Sequence, residues 1–508
     1  AERQTGLLTP TVGFSSVLGA TFRPRYYVVL SDSADVIFEP LFTTGGGQIA
    51  QATYRRQMPS GRFEVTGSIM RATDLEQDGS LRLNDPSVKQ GDLRGHIDAE
   101  GEFDIDRNWR WGFDIRRASD DGFLKRYNYS FDDPLKSEIY AERFESRDYF
   151  AGRTMSFQGL RRRDDENQEP FVLPEARYKY VSEPEYLGGQ LVGDLGIVNL
   201  LRSEGRDTQR VSGTLGWETR YVEQCGEVGI KTVANADFYN FQDTVDGADV
   251  IEATDQPEET GQTGRVFPQA ALQYSYPVTR SSWLGNEVLR PRTQIVVGPN
   301  GGNSAGIPNE TSRTFEFTAG NLFALDRIPG RDRVSSGQRI DYGIEYTYST
   351  PDGSGNAAAL LGQSYRLNTD SALPDSVGGE EEFSDIVGQL SLSPFSYLSA
   401  DYSFRVDNST GDFRFSEYSV TLGPPALEFQ ANYTLVEQET DGFVRTRERE
   451  QLNLSLTSRL TQYWSAGVRH RQDLQSNEPR DTEFGLTYHD ECFLLGFSFE
   501  RNYSDGSG

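Results

Sequence analysis

Seven polar side chains between Ile307 and Gly343 could together bind a ligand. They are Asn309, Glu310, Ser312, Asn321, Arg327, Asp332 and Arg333. Arginine suits phosphate and sugar ligands because its planar fork donates parallel hydrogen bonds. The same side chains could instead pair with one another and hold a loop in place. The sequence therefore predicts a polar network here, with ligand contact and internal support as alternatives.

Residue patterns that would indicate catalysis are missing from the sequence. The histidines His96, His470 and His489 are scattered and have no metal-ligand spacing. No Gly-x-Ser-x-Gly elbow occurs, and no convincing Ser/His/Asp arrangement can be drawn. The acid pairs at 120–121 and 164–165 are interpreted as loop charges. We therefore expect no enzyme and no metal site, and a lipase or protease is the disfavoured alternative.

Two prolines, Pro10 and Pro24, interrupt the first apolar segments. Proline has no backbone N–H, so inside a sheet it deletes a hydrogen bond of the ladder. Both residues would weaken strand pairing near the start of the chain if they lie inside strands. The alternative is that each one only begins a strand or a turn.

The two cysteines are too few for a disulfide scaffold. Cys492 follows the acidic pair at 490–491 and precedes an alternating apolar segment that begins at Phe493. Cys225 lies in a short segment, Gln224–Val228, and is interpreted as a free cysteine in a turn. A direct disulfide between the two is disfavoured because many strands separate them and a disulfide needs close Cα atoms.

The composition excludes some classes of protein and leaves others open. The chain has 508 residues and a net charge of -27, which makes nucleic acid an unsuitable partner. No run of 18 apolar residues occurs, so no transmembrane helix is expected. The mean hydropathy of -0.61 does not decide between a soluble and a membrane protein. A transmembrane barrel exposes only alternate residues to lipid and fills its lumen with polar groups.

Alternation of apolar and polar residues extends over the whole chain, as in 211–221, 427–435 and 493–499. Runs of about 9–11 alternating residues suit tilted strands that cross a bilayer. Short turns alternate with longer acidic or glycine-rich connectors, which is typical of outer-membrane barrels. We predict an all-β fold: one large antiparallel transmembrane β-barrel domain over residues 1–508, with about 25 strands. A secreted array of β-sandwiches or a β-helix is the alternative, although no fixed repeat supports a solenoid.

Several stretches resemble, in the same order, the pattern of the LptD family of lipopolysaccharide (LPS) assembly proteins. The matching stretches are Arg3–Pro10, Arg23–Tyr27, Ser33–Pro40, Trp109–Tyr127, Phe267–Ala270, Leu289–Arg292, Ile307–Gly343, Gly362–Arg366, Gln462–Ser465 and Tyr488–Cys492. Each is weak alone, but their collinear order is specific. The resemblance implies an LPS translocon in the Gram-negative outer membrane, with about 26 strands in the intact protein.

The resemblance also implies roles for particular residues. Pro10 and Pro24 would mark a lateral gate between the first and last strands, through which lipid A leaves while the sugar chain stays in the lumen. Cys492 would form a disulfide to an N-terminal periplasmic jellyroll, which in the family precedes the segment matched by Arg3. The family pattern would also add one closing strand after the last segment of this chain.

The partners implied by the resemblance are LPS, outer-membrane lipids, a lumenal lipoprotein of the LptE type and a periplasmic LPS bridge that docks through the jellyroll. No cofactor is expected, although divalent cations could bridge acidic loops to LPS phosphates. The alternatives are a passive transport or receptor barrel and a secreted adhesin-like β protein. The first predicts a plug domain or constriction loop, and the second predicts solubility without detergent.

Overall fold

Strands make up most of the chain, as the alternation of its residues predicts. The computed structural model describes residues 3–72, 91–161, 164–184, 186–243, 260–304, 306–311, 315–370, 372–378, 381–437, 448–491 and 493–503. The first half contains the strands β1 (Gly6–Ser15), β2 (Gly19–Ser31), β3 (Ala34–Phe38), β4 (Leu41–Thr43), β5 (Gln48–Met58), β6 (Gly61–Arg71), β7 (Leu93–Asp104), β8 (Trp109–Ala118), β9 (Leu135–Glu145), β10 (Asp148–Gln158), β11 (Phe171–Val181), β12 (Gln190–Leu201) and β13 (Arg206–Glu223). The second half contains β14 (Gly226–Asp243), β15 (Thr260–Ser275), β16 (Val278–Ser282), β17 (Gly285–Val297), β18 (Arg339–Ser349), β19 (Asn356–Arg366), β20 (Ile386–Phe395), β21 (Leu398–Val406), β22 (Phe413–Leu422), β23 (Leu427–Val436), β24 (Arg449–Arg459), β25 (Trp464–Asp473), β26 (Glu478–His489) and β27 (Leu494–Asn502).

Helical structure is confined to short turns in the described residues. The α-helix α1 spans Phe123–Arg126, and two 3-10 turns span Tyr186–Gly188 and Asp375–Val377. None of the helices within the described ranges has the length and apolar character needed to cross a membrane.

All the strands join one antiparallel sheet that follows the order of the chain. β3 and β4 both pair with β2 and with β5, and the break between them contains Pro40. β15 and β16 both pair with β17, and the break between them contains Pro277. Proline explains both breaks because it cannot donate to a ladder. The 27 segments therefore fill 25 positions of the sheet, and the predicted all-β barrel of about 25 strands is confirmed.

The two faces of the sheet differ in polarity. On β13, Arg210 and Thr214 hydrogen-bond to the chain segment that joins β17 to β18. Val211 and Leu215 alternate with them and are exposed on the opposite face. We call the segment 298–338 the inner loop, because its contacts lie on the polar face of the wall. The apolar face points away from it, as expected for strands that meet lipid on one side only.

The connections also differ between the two ends of the strands. At one end they are short, as in the two-residue turns 224–225, 283–284 and 396–397. At the other end lie the inner loop and the segments 119–134 and 367–385. This asymmetry agrees with short periplasmic turns and longer external loops.

The two largest of three hydrophobic clusters in the described part of the chain both involve long connections. One joins the inner loop to the segment 367–385; its buried members are Phe315, Phe317, Ala319, Leu322, Phe323, Ile328, Leu373, Val377 and Val387. The other joins the α1 segment to the first strands; its buried members are Leu18, Leu41, Ile49, Met70, Phe123, Leu124, Tyr127, Leu135 and Leu160.

The α1 segment also contains an ion pair that the sequence did not indicate. Asp120 lies in a loop, as interpreted from the sequence, but it is buried and accepts hydrogen bonds from Arg94 at 2.8 and 2.6 Å. The burial and the arginine partner were not predicted. The physical reason is that α1 folds against the wall and brings the carboxylate onto a buried guanidinium.

Candidate functional site

Pro10 and Pro24 lie inside β1 and β2 and meet across the ladder between these strands. The ladder pairs Leu8 with Arg25 and resumes only at Thr11. Two residues of β1 thus face a single residue of β2 in the gap, which is the geometry of a β-bulge. Neither proline begins a strand or a turn. The interruption lies between β1 and β2, not directly between β1 and the last strand.

β1 and β27 form the two ends of the sheet in chain order. No ladder joins them among the strands that the structure describes. The strands alternate in direction over 25 positions, so β1 and β27 run the same way and cannot form a direct antiparallel ladder. β1 is exposed on both faces, and its Val12 and Phe14 side chains are 73% and 83% exposed. An edge strand with these exposed apolar groups offers both a lipid contact and free backbone groups.

The turn between β1 and β2, by contrast, is firmly anchored. Leu18 is buried in the cluster built around Phe123. Its carbonyl accepts a hydrogen bond of 2.9 Å from the amide of Gly45, and Tyr127 donates a bond of 2.8 Å to the carbonyl of Gly46. A Cβ atom at Gly46 would lie 2.5 Å from the Leu18 side chain, so a larger residue here would force Leu18 to move. The first hairpin is therefore fixed at its turn and interrupted in its middle.

Asp332 is the centre of the polar network in the inner loop. One carboxylate oxygen accepts the amides of Glu310 and Thr311 at 2.8 and 2.6 Å and the Thr311 hydroxyl at 2.7 Å. The other accepts Arg210 of β13 at 2.6 Å and the Tyr239 hydroxyl of β14 at 3.2 Å. Burial alone would raise the pKa of Asp332, but Arg210 and the Thr311 hydrogen bonds lower it below its ordinary value. The carboxylate is thus held ionised between loop and wall.

Three further ion pairs fasten the inner loop to the wall around it. Glu310 pairs with Arg202 at 2.8 Å, and Arg331 pairs with Asp194 at 3.0 Å. Arg327 pairs with Asp341 of β18, and both side chains are fully buried. Burial lowers the pKa of Arg327 to about 9, against the opposing effect of the Asp341 carboxylate.

The remaining predicted residues of the network have more local contacts. Asn321 accepts the amide of Thr318 and donates to the carbonyl of Glu316, so it shapes the turn inside the inner loop. Arg333 is buried and donates to the carbonyl of Ile307. Asn309 is half-buried in the inner loop. Ser312 lies outside the described residues. The structure thus brings Glu310, Asp332 and Arg333 together and places Asn321 apart from them.

Several wall residues that hold the inner loop were missed from the sequence. Arg265 of β15 donates to Asp237 at 2.8 Å and to the carbonyls of Gly302, Arg331 and Asp332. Charged residues are common at the inward-facing positions of barrel strands, so an arginine at position 265 did not stand out in the sequence. The alternation along β15 predicts only that this side chain faces inward.

A second tie lies on the opposite side of the inner loop. Arg405 at the end of β21 pairs with Glu316 of the inner loop and with Asp385, each at 2.9 Å. Asp385 precedes β20 and is buried. Burial raises the pKa of Asp385 to about 6, although Arg405 opposes the shift. The inner loop is therefore bound both to strands β13–β15 and to β21.

The cysteines and histidines do not form a site in the described residues. Cys225 is a free, exposed cysteine in the two-residue turn between β13 and β14. Cys492 lies outside the described residues. His96 hydrogen-bonds Ser68 and stacks near Tyr129, whereas His470 hydrogen-bonds Thr482. Within the described ranges, no group of three or more His, Cys, Asp or Glu side chains could hold a metal ion.

Comparison with known proteins identifies similar sequences along almost the whole chain. The family model described as LPS transport system D matches residues 92–464. A protein from Hahella chejuensis named LPS-assembly protein LptD is 22% identical over 99% of this chain. A protein of the same name from Pseudoalteromonas atlantica is 22% identical over 98% of this chain. The chain spans 63% of the length of each of these two relatives.

Solved structures with similar strand arrangements are more distant. The alcaligin outer membrane receptor FauA from Bordetella pertussis has a TM-score of 0.34 and 8% identity, and the match covers 97% of this chain and 75% of the receptor. At this level of similarity the receptor provides no information about the site.

Proposed function

The chain belongs to the LPS transport system D family, and from this premise we propose that it is the barrel of a translocon that inserts LPS into the outer leaflet. The family places the chain in the bacterial outer membrane as an integral β-barrel. The proposed activity moves a lipid and makes or breaks no covalent bond. Residues 1–508 would act as one barrel domain.

The proline-interrupted ladder between β1 and β2 is the observation that carries the proposal. A lateral gate needs an edge strand that leaves its neighbours at low cost, and each ladder hydrogen bond contributes about 0.5–1.5 kcal/mol. Pro10 and Pro24 remove donors at the same level of the hairpin. β1 is the strand at the end of the sheet, and the two prolines also weaken its pairing with β2. Lipid A would pass along this edge.

The two faces of the wall suit the two halves of the LPS molecule. The exposed apolar side chains of β1, including Val12 and Phe14, would contact acyl chains. The sugar chain would move along the polar inner face, where it can exchange hydrogen bonds with charged and amide side chains. An amphipathic substrate could therefore cross the membrane without burying its sugars in hydrocarbon.

We propose that the inner loop supports the lumen and that its polar network serves mainly as scaffold. Glu310, Arg327 and Asp332 have their charges neutralised by wall residues. Asn309 is half-buried and uncharged, and its amide would be a candidate for contact with LPS sugars. Asn321 and Arg333 would shape the loop, and Ser312 would belong to the same network.

The proposed partners follow from the family. A lipoprotein of the LptE type would occupy the lumen from the end with short turns, since a barrel this wide leaves an open hole. A periplasmic jellyroll would connect the barrel to the LPS bridge, and Cys492 would be its disulfide partner. Divalent cations would bridge the acidic external loops to LPS phosphates, and chelation of Mg²⁺ and Ca²⁺ should then reduce crosslinking to LPS.

Site-specific photocrosslinking in cells tests the proposal. A photoreactive residue at Val12 of β1 should give an LPS adduct, and so should one at Arg23 of β2, next to the proline gap. Val266 of β15 is the matched control, because both valines are 73% exposed. Val266 lies far from the seam, so pulse-labelled LPS should reach it only after insertion and spread in the outer leaflet. Simultaneous appearance of labelled adducts at Val12 and Val266, or none at Val12 and Arg23, would refute the gate.

A further inference from the structure

Three arginines cluster where β18 begins and β19 ends. Arg339 and Arg366 are direct partners across the ladder, and Asp341 faces Ser364 two residues further along. Arg327 of the inner loop approaches the same place through its ion pair with Asp341. Arg339 and Arg366 are 0% exposed. Like charges directly opposite each other destabilise a sheet, so this arrangement needs compensation.

The one carboxylate at the centre of the cluster is already saturated. One oxygen of Asp341 accepts from Arg327 and from the Ser364 hydroxyl. The other accepts from Gln294 at 2.9 Å and from Arg339 at 3.3 Å. Four donors on two oxygens leave no place for another guanidinium. Asp341 therefore balances one of the neighbouring positive charges and cannot reach Arg366.

Arg366 has no acidic partner in the described part of the chain. No described carboxylate lies within 4.0 Å of its guanidinium nitrogens. Nη2 donates to the carbonyl of Ser336, whereas Nε and Nη1 have no hydrogen-bond acceptor. The negative charge of Asp370 acts on Arg366 through space, but its carboxylate accepts the Ser336 hydroxyl at 2.5 Å. A buried charge in this state is costly unless something else pairs with it.

Arg327 contributes a second pair of unused donors. Its Nη2 is occupied by Asp341 and by the carbonyl of Leu322, but Nε and Nη1 have no acceptor. A fully paired buried arginine of the same wall shows the contrast. Every guanidinium nitrogen of Arg265 donates, to Asp237 or to a loop carbonyl. Other inward-facing arginines such as Arg94 and Arg210 have one nitrogen without an acceptor, whereas Arg327 and Arg366 each have two.

The surroundings favour a small anion over a phosphate or sulfate group. Two glycines press on the Arg366 side chain: a Cβ at Gly378 would lie 2.7 Å from its Cδ, and one at Gly337 would lie 3.2 Å from its Nη2. The Arg327 guanidinium lies over the ring of Phe317, with 5.0 Å from its Cζ to the ring centroid, and Phe317 belongs to the apolar cluster of the inner loop. A halide needs a few N–H donors and tolerates apolar neighbours, whereas an oxyanion needs a larger polar cavity.

We propose that Arg366 and Arg327 bind a small monovalent anion of the halide class at the junction of the inner loop with β18 and β19. The anion supplies the negative charge that Asp341 cannot provide and accepts the unused N–H groups. It thereby ties the inner loop to the wall. This inference goes beyond the transport function and does not depend on it.

Thermal unfolding of the whole purified protein in detergent tests the inference. The probes are sodium chloride and sodium bromide, compared with sodium gluconate at equal ionic strength. A ligand that binds only the folded state raises the unfolding midpoint as its concentration rises. We expect the midpoint to increase with each tenfold step in halide and to stay constant in gluconate. Arg366→Gln should abolish this dependence, whereas Arg265→Gln should lower the midpoint but retain it.

Crystals grown with bromide give an independent answer that does not depend on a variant. We expect an anomalous peak within hydrogen-bond distance of Arg366 in the wild-type protein. A midpoint that ignores halide, an Arg366→Gln variant with the wild-type dependence, or a bromide crystal without this peak would overturn the inference. A midpoint that responds to inorganic phosphate but not to halide would overturn the assignment to a small monovalent anion.

Discussion

Replacement of Asp332 by asparagine should release the inner loop without unfolding the barrel. The carboxylate accepts three donors of the inner loop on one oxygen and two wall donors, Arg210 and Tyr239, on the other. An amide offers one acceptor oxygen, so at least two of the five donors would face an N–H₂ group. One of the groups at risk is the buried Arg210 guanidinium. Breaking a buried charge pair on one side costs about 3–5 kcal/mol.

Hydrogen–deuterium exchange measures this cost directly, because about 1.4 kcal/mol corresponds to a tenfold change in the opening equilibrium. In Asp332→Asn, backbone amides of residues 315–334 should exchange on the order of 100 to 3,000 times faster. Amides of β13 and β14 should keep their protection. The control is Asp412→Asn, which removes the same charge from an exposed position. A change below about tenfold, or equal loss of protection in β13, would refute the role assigned to Asp332.

Three other predictions concern the seam, its anchor and the second tie of the inner loop. Pro10→Ala combined with Pro24→Ala restores two backbone donors, so we expect slower exchange in β1 and β2, by about 1 kcal/mol per bond formed, and weaker LPS crosslinking from Val12. Leu18→Ala should cost about 2–5 kcal/mol locally and speed exchange in the β1–β2 turn, whereas Leu7→Ala, at a residue 79% exposed, should change little. Burial raises the pKa of Asp385 to about 6, whereas the unfolded chain has about 3.9. The contribution of protonated Asp385 to the free energy of unfolding is therefore complete below pH of about 4 and is lost as the pH rises through about 6. The loss is at most about 3 kcal/mol. The unfolding midpoint should fall over this range, and Asp385→Asn should flatten the fall; an unchanged slope would contradict the assignment.

The type of fold was predictable because it depends on local periodicity. Each strand presents alternate residues to two different solvents, so the pattern in segments such as 211–221 and 427–435 is visible without any tertiary information. The prolines carry an equally local signal, since the missing N–H is a property of the residue itself. Pro10 and Pro24 could be recognised from the sequence as residues that would interrupt strand pairing, and both lie inside strands.

The sequence could not show which residues meet, because every decisive contact joins positions far apart in the chain. The sequence shows Asp120 as a loop charge, but only the packing of the α1 segment brings it onto Arg94. Pro10 and Pro24 become one interruption only through the register of the first hairpin.

The sequence alone shows that the segment between Ile307 and Gly343 is rich in polar residues and lies between alternating strand segments. Their partners Arg210, Tyr239 and Arg265 come from three strands of the wall, and only the packing of the loop against these strands selects them. The register of β18 against β19 sets Arg366 opposite Arg339, and no carboxylate of the described residues pairs with it. The physical reason is that hydrogen bonds and ion pairs act over a few ångströms of space, whatever the distance along the chain.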